Sequence, residues 1–109
     1  MGQAGQTDLA EAMNRLWTQF LPQLEARVAV LQAAADALGR GTLAPAEREQ
    51  AGSAAHKLAG VLGTFGLAEG TALAREAEVL YSGSHADAAA VARLQEIPVQ
   101  LRAMIAGRK

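Results

Sequence analysis

The sequence predicts an all-α protein, an up-and-down antiparallel four-helix bundle with a short extra N-terminal helix. Three observations carry that prediction. Apolar residues recur in steps of three and four along nearly the whole chain, and no stretch shows strand-like alternation. Alanine makes up nearly a quarter of the residues, and the only aromatics are Trp17, Phe20, Phe65 and Tyr81, a composition suited to closely packed helices. The breaks between periodic segments are short, which favours antiparallel neighbours.

Residues 1–6 are rich in Gly and Gln and read as a flexible N-terminus, leaving 7–109 as a single domain. Thr7 or Asp8 can cap a first helix whose stripe is Leu9, Met13, Leu16, Phe20, Leu24, Val28, Leu31, Ala35 and Leu38. Pro22 cannot donate to the carbonyl four residues back, so it is expected to kink this segment or split off the short leading helix. Gly39 and Gly41 end it. Pro45 suits the first turn of a second helix, where Glu47 and Glu49 complement the positive helix end. That helix runs into the Gly63–Gly66 region. Leu67, Gly70, Leu73, Ala74, Ala77 and Leu80 mark a third helix, closed by Ser82 and Gly83. Ser84 with Asp87 three residues later resembles a capping box for a fourth, whose stripe is Val91, Leu94, Ile97, Leu101, Met104 and Ile105, with a bend expected at Pro98.

Composition narrows the function. The 109 residues suit one ordinary domain. A formal charge of −1 and no basic cluster beyond Arg108-Lys109 speak against nucleic acid as partner. The chain has no cysteine, which excludes disulfides, thiolate metal sites and a cysteine nucleophile. No apolar run approaches the length of a membrane span, and the start lacks the pattern of a secretion signal, so a cytoplasmic location without membrane attachment is expected.

The second helix carries the chemistry. On a helical wheel Ala51, Ala54, Ala55, Leu58, Val61, Leu62 and Phe65 fall within about 60° of Leu58 and form the core face. His56 projects about 160° away from Leu58, into solvent. Its neighbours one turn off are all small: Gly52 and Ser53 before it, Ala59 and Gly60 after it, and Gly63 one turn further. Glycine inside a helix costs about 1 kcal/mol relative to alanine, so this bare patch reads as a surface where a partner docks. Imidazole suits phosphoryl transfer, because a histidine with an ordinary pKa near 6.5 offers an unprotonated nitrogen at neutral pH. An uncovered ring also permits in-line alignment of attacking and leaving atoms. His85 reads as loop or capping decoration. Nothing brings it to His56, and no carboxylate pair completes a metal site. Glu69, Arg75, Glu76 and Glu78 read as a solvated helix face.

The run Ala55-His56-Lys57-Leu58-Ala59-Gly60-Val61-Leu62-Gly63-Thr64-Phe65-Gly66-Leu67 resembles the motif of histidine-containing phosphotransfer domains, broadly H-x-x-K-G with later glycines and a leucine. The resemblance is strongest over residues 51–80, where Leu73, Ala74 and Leu80 match apolar positions of that family's next helix. It implies a phosphorelay intermediate of bacterial-type two-component signalling. His56 would accept a phosphoryl group from one receiver-domain aspartate and pass it to another, while the partner supplies the Mg²⁺ site. No cofactor or resident metal is implied, and no nucleotide loop is visible, so the domain would be a phosphocarrier without kinase activity of its own. The family usually carries a lysine three residues after the histidine, where this chain has Ala59. Lys57, about 100° around the helix, is the nearest substitute as a phosphate-proximal cation. Two other readings share these residues: a domain phosphorylated directly by a histidine kinase, and a noncatalytic adaptor that binds a receiver or a kinase.

Overall fold

Four helices make up the regular structure of the described residues: α1 (Gly2–Gly39), α2 (Pro45–Thr64), α3 (Ala68–Ser82) and α4 (Ala88–Gly107). The structure is a computed structural model and describes residues 2–83 and 87–108, with side chains from residue 8 onward. No strand occurs among them.

The leading segment departs from expectation. No separate short helix precedes the bundle, because α1 runs unbroken through Pro22 and already includes residues 2–6, so Thr7 and Asp8 lie inside it and do not cap it. The reason is solvent. Pro22 and Thr18, whose carbonyl it cannot serve, are both exposed, so water can replace the one lost hydrogen bond while the apolar stripe on either side keeps the helix in register. Helix α4 also continues past its proline, Pro98, which is fully buried in the core.

The other ends follow local chemistry. Pro45 occupies the first turn of α2, and the Glu47 carboxylate accepts from the Ala44 N–H at 2.9 Å. At the far end Gly66 takes a φ of +75°, Gly66 N–H donates to Gly63 O at 3.1 Å, and Leu67 N–H donates to Leu62 O at 2.9 Å. This double closure needs a left-handed residue, which glycine supplies without strain. At α4 the cap is Asp87, whose carboxylate accepts from Ala90 N–H at 2.8 Å. The cap expected at Ser84 is therefore misplaced, and Ser84 itself, like His85, lies outside the described residues.

Each helix packs on two others, α2 on α1 and α3, and α4 on α1 and α3, so the four close a ring. Neighbours are antiparallel: down the α2/α3 seam the facing pairs are Gly52 and Tyr81, His56 and Glu78, and Gly63 and Thr71. Leu24, Val28 and Leu31 of α1, Leu58 and Leu62 of α2, Ala74 and Ala77 of α3, and Leu94, Ile97 and Leu101 of α4 fill the centre. Gly70 permits a close approach within the core, since a Cβ there would lie 3.0 Å from Leu62 Cδ1 and 3.1 Å from Met104 Sδ. With 38 residues α1 is about 57 Å long, which accounts for the 58 Å long axis of the molecule. The first buried side chain among those described in α1 is Trp17, which stacks edge-on against Phe65 at the end of α2 and lies under the Arg108 guanidinium.

Candidate functional site

Helix α2 turns Leu58 inward and His56 outward. Leu58 is fully buried, whereas the His56 side chain is 74% exposed halfway along the helix. The face beneath the imidazole is Ala51, Ala54 and Ala55, small residues that let α2 sit close to its neighbours, so the backbone under His56 rests on packed core.

The ring is held from α3. His56 Nδ1 lies 2.8 Å from Glu78 Oε2. A carboxylate oxygen accepts, so Nδ1 is the donor and the lone pair of the neutral imidazole resides on Nε2. The pair thus fixes both the rotamer and the tautomer, and it leaves Nε2, with its lone pair, on an exposed ring. Sequence reasoning placed Glu78 on a solvated face and missed this contact. Glu76 was misread in the same way, because its carboxylate takes two hydrogen bonds from Arg93 of α4, one of them from Nη2 at 2.7 Å. The signal for Glu78 was present in the numbering. It follows Ala74 by four and precedes Tyr81 by three, which puts it at the edge of the stripe that α3 turns toward α2.

A groove of about 500 Å³ runs from His56 toward the start of α2, walled by Arg48, Gly52 and Ser53 on one side and Glu78, Tyr81 and Ser82 on the other. Arg48 fastens its upper end by donating from Nη1 to Gly83 O at 2.9 Å and to Tyr81 O at 3.5 Å. Tyr81 is buried, its hydroxyl has no hydrogen-bond partner among the described residues, and burial pushes its pKa up to about 12.

The small residues around His56 divide into two groups. Ser53, Gly60 and Gly63 are exposed, and a Cβ at Gly60 would meet nothing within 4 Å. Gly52 is half-buried, 3.8 Å (as a built Cβ) from Tyr81 Cβ, and a Cβ at the exposed Gly63 would lie 3.4 Å from Thr71 Oγ1, so both also serve the α2/α3 contact. Ala59 is a correction. At 5% exposure it faces α3, where Thr71 Oγ1 donates to its carbonyl at 3.1 Å, and it offers no docking surface. The wheel placed it outside because a single core direction was assumed, whereas α2 is covered on two sides, by α1 and by α3. Lys57 is exposed and borders a different groove, between α1 and α2, together with Arg27, Val30, Gln50 and Ser53. It therefore stands on the opposite flank of α2 from Glu78.

Among the described residues no cluster of three or more His, Cys, Asp or Glu side chains could hold a metal ion. Among them, too, no helix is long and apolar enough to cross a membrane.

Comparison with known proteins bears on the chain as a whole. A family model described as "Hpt domain" matches residues 15–107, most of the chain and all of the ring of helices from Trp17 onward. A curated relative, "Protein RcaC" of Microchaete diplosiphon, is 37% identical over 71 residues, which cover 65% of this chain and 11% of that protein. The chain thus spans about a ninth of that relative's length. No solved structure matches.

Proposed function

The chain belongs to the Hpt domain family, the histidine-containing phosphotransfer domains, and from that premise we propose that His56 is its phosphoacceptor, relaying a phosphoryl group to and from receiver-domain aspartates. One observation carries the residue assignment: an exposed imidazole whose Nδ1 is engaged by Glu78, so that Nε2 is the nucleophile. His85 lies outside the described residues.

In this reading the acyl phosphate of a partner aspartate presents its phosphorus to Nε2. The uncovered helix face around Ser53, Gly60 and Gly63 lets the partner's backbone come close enough for in-line geometry. The partner brings the Mg²⁺ that neutralises charge on the phosphoryl oxygens, and this chain contributes the nucleophile and the docking face, with no cofactor of its own. Lys57 supports the incoming charge from the α1 flank only weakly, as an exposed and screened cation. The alternatives are direct phosphorylation by a histidine kinase and binding without turnover, and one experiment sorts them. The protein is incubated with a panel of phosphorylated receivers, and in parallel with ATP and candidate kinases, and the label is tested for stability in acid and base. Acid-labile, base-stable label delivered by receivers supports the proposal, label delivered only by a kinase supports the first alternative, and receiver binding with no label supports the adaptor.

A further inference from the structure

We infer that Glu78 is a positioning residue that keeps the Nδ1 proton on the phosphorylated His56 ring, so that transfer proceeds in both directions without moving a proton and phospho-His56 stays in its reactive form. The inference rests on His56 being the acceptor.

In the forward step the Nε2 lone pair attacks phosphorus, the P–Nε2 bond forms, and the P–O bond to the aspartyl carboxylate breaks, returning its electron pair to that oxygen. The ring now carries substituents on both nitrogens, phosphoryl on Nε2 and a proton on Nδ1, and is formally cationic. Two fates are open to it. If the Nδ1 proton is lost, the product is a neutral phosphoimidazole whose departure in the next transfer would release an imidazolate, a poor leaving group. If the proton stays, the P–Nε2 electron pair returns to Nε2 and neutral imidazole leaves. A carboxylate 2.8 Å from Nδ1 favours the second fate, because it pairs with the cationic ring through a charge-assisted hydrogen bond. The same proton sits on Nδ1 in the resting, phosphorylated and spent forms, so no acid or base is needed at any step.

The surrounding charges leave this task to Glu78. The groove around the ring is lined by Glu78 and Tyr81 from α3 and by Arg48 and Glu49 from α2, with Lys57 beside His56 on the α1 flank and Arg75 a turn further along α3, in the next depression of the seam with Gly63 and Thr71. Arg48 donates to backbone carbonyls at the closed end of α3, Glu49 lies two turns toward the start of α2, and Lys57 stands on the α1 flank. Tyr81 is buried with a raised pKa and remains neutral near pH 7. Glu78 is the acceptor the structure puts on Nδ1.

The test uses the whole chain phosphorylated with phosphoramidate, a small donor that needs no receiver, and compares wild type with Glu78→Gln, Glu78→Ala and Glu78→Asp. Transfer from phospho-His56 to a receiver is timed from pH 6 to 9, with the receiver's own acceptance measured separately at each pH. Glutamine keeps an acceptor for the resting ring but no charge for the cationic one. The expected result is that Glu78→Gln and Glu78→Ala transfer like wild type near pH 6 and fall behind about tenfold by pH 8, a proton-holding effect of the size an adjacent charge commonly produces. Glu78→Asp should recover part of the loss. Nitrogen-15 spectra of the phosphorylated ring should show the Nδ1 proton persisting to higher pH in wild type than in Glu78→Gln. Coincident pH profiles and spectra for wild type and Glu78→Gln, with His56 labelled in both, would overturn this role alone. Failure of wild type to label at His56 would overturn the acceptor assignment and this role together.

Discussion

Glu76 and Glu78 stand two residues apart on α3, and each accepts hydrogen bonds from a side chain on a neighbouring helix. Glu76 turns to α4 and meets Arg93, which also donates to Glu96 at 3.2 Å. Glu78 turns to α2 and meets His56. The first pair joins permanent charges in a fork geometry, and the Arg93 hydrogen bonds hold the Glu76 carboxyl below its usual range. The second joins a carboxylate to a ring with a further nitrogen to use. One therefore fastens two helices together, and the other orients the ring that we propose as the nucleophile. Chemistry follows from the partner across the seam more than from the carboxylate.

That contrast can be broken in several ways. The largest effect lies in the core: Leu58→Ala, emptying a fully buried position on the inner face of α2, should destabilise the bundle by about 2 to 5 kcal/mol. Chemical denaturation measures it, and an unchanged midpoint would mean that α2 is turned the wrong way. Glu76→Gln should cost about 0.5 to 1 kcal/mol, held down by the partial exposure of both partners, and leave phosphoryl transfer intact. Its pH dependence has a definite sign. Because the folded pKa is depressed, the contribution is complete above the ordinary value of 4.5 and is lost as pH falls below it, so the stabilities of wild type and Glu76→Gln should converge in acid. Transfer lost along with stability in this variant would erase the distinction between the two glutamates.

Gly60→Gln sharpens the comparison from the docking side. Replacing a helical glycine whose Cβ would meet open space should raise stability by about 0.5 to 1 kcal/mol, while the new side chain slows exchange with a receiver and spares labelling by phosphoramidate. Normal receiver exchange would remove Gly60 from the docking face. The smallest effect is expected at Tyr81→Phe. Deleting a buried hydroxyl that lacks a partner should change stability by less than about 0.5 kcal/mol or raise it slightly, as a thermal melt would show.

Much of this was legible in the sequence because it is local. The steps of three and four, Pro45 at the start of α2 and Gly66 at its end each determine structure within a turn or two. The outward direction of His56 follows from its angle to Leu58. What escaped depends on neighbours distant in sequence. Glu78 reaches His56 across 22 residues, and Ala59 is buried by α3, which a wheel with one core direction does not include. The unbroken α1 escaped for an energetic reason, since the rule that proline ends a helix assumes that the freed carbonyl has no replacement partner, and Thr18 is exposed, where solvent can serve as one.

The central claim is that one exposed nitrogen on α2 carries the phosphoryl group. It is tested most directly by phosphorylating wild type and His56→Gln with the same labelled receiver and locating the label by fragmentation mass spectrometry under conditions that preserve phosphohistidine. The account predicts label on His56 of wild type, none on the variant, and matching melting curves, because a ring 74% exposed contributes little packing. Acid-labile label of undiminished amount on His56→Gln, or on His85 of wild type, would contradict it.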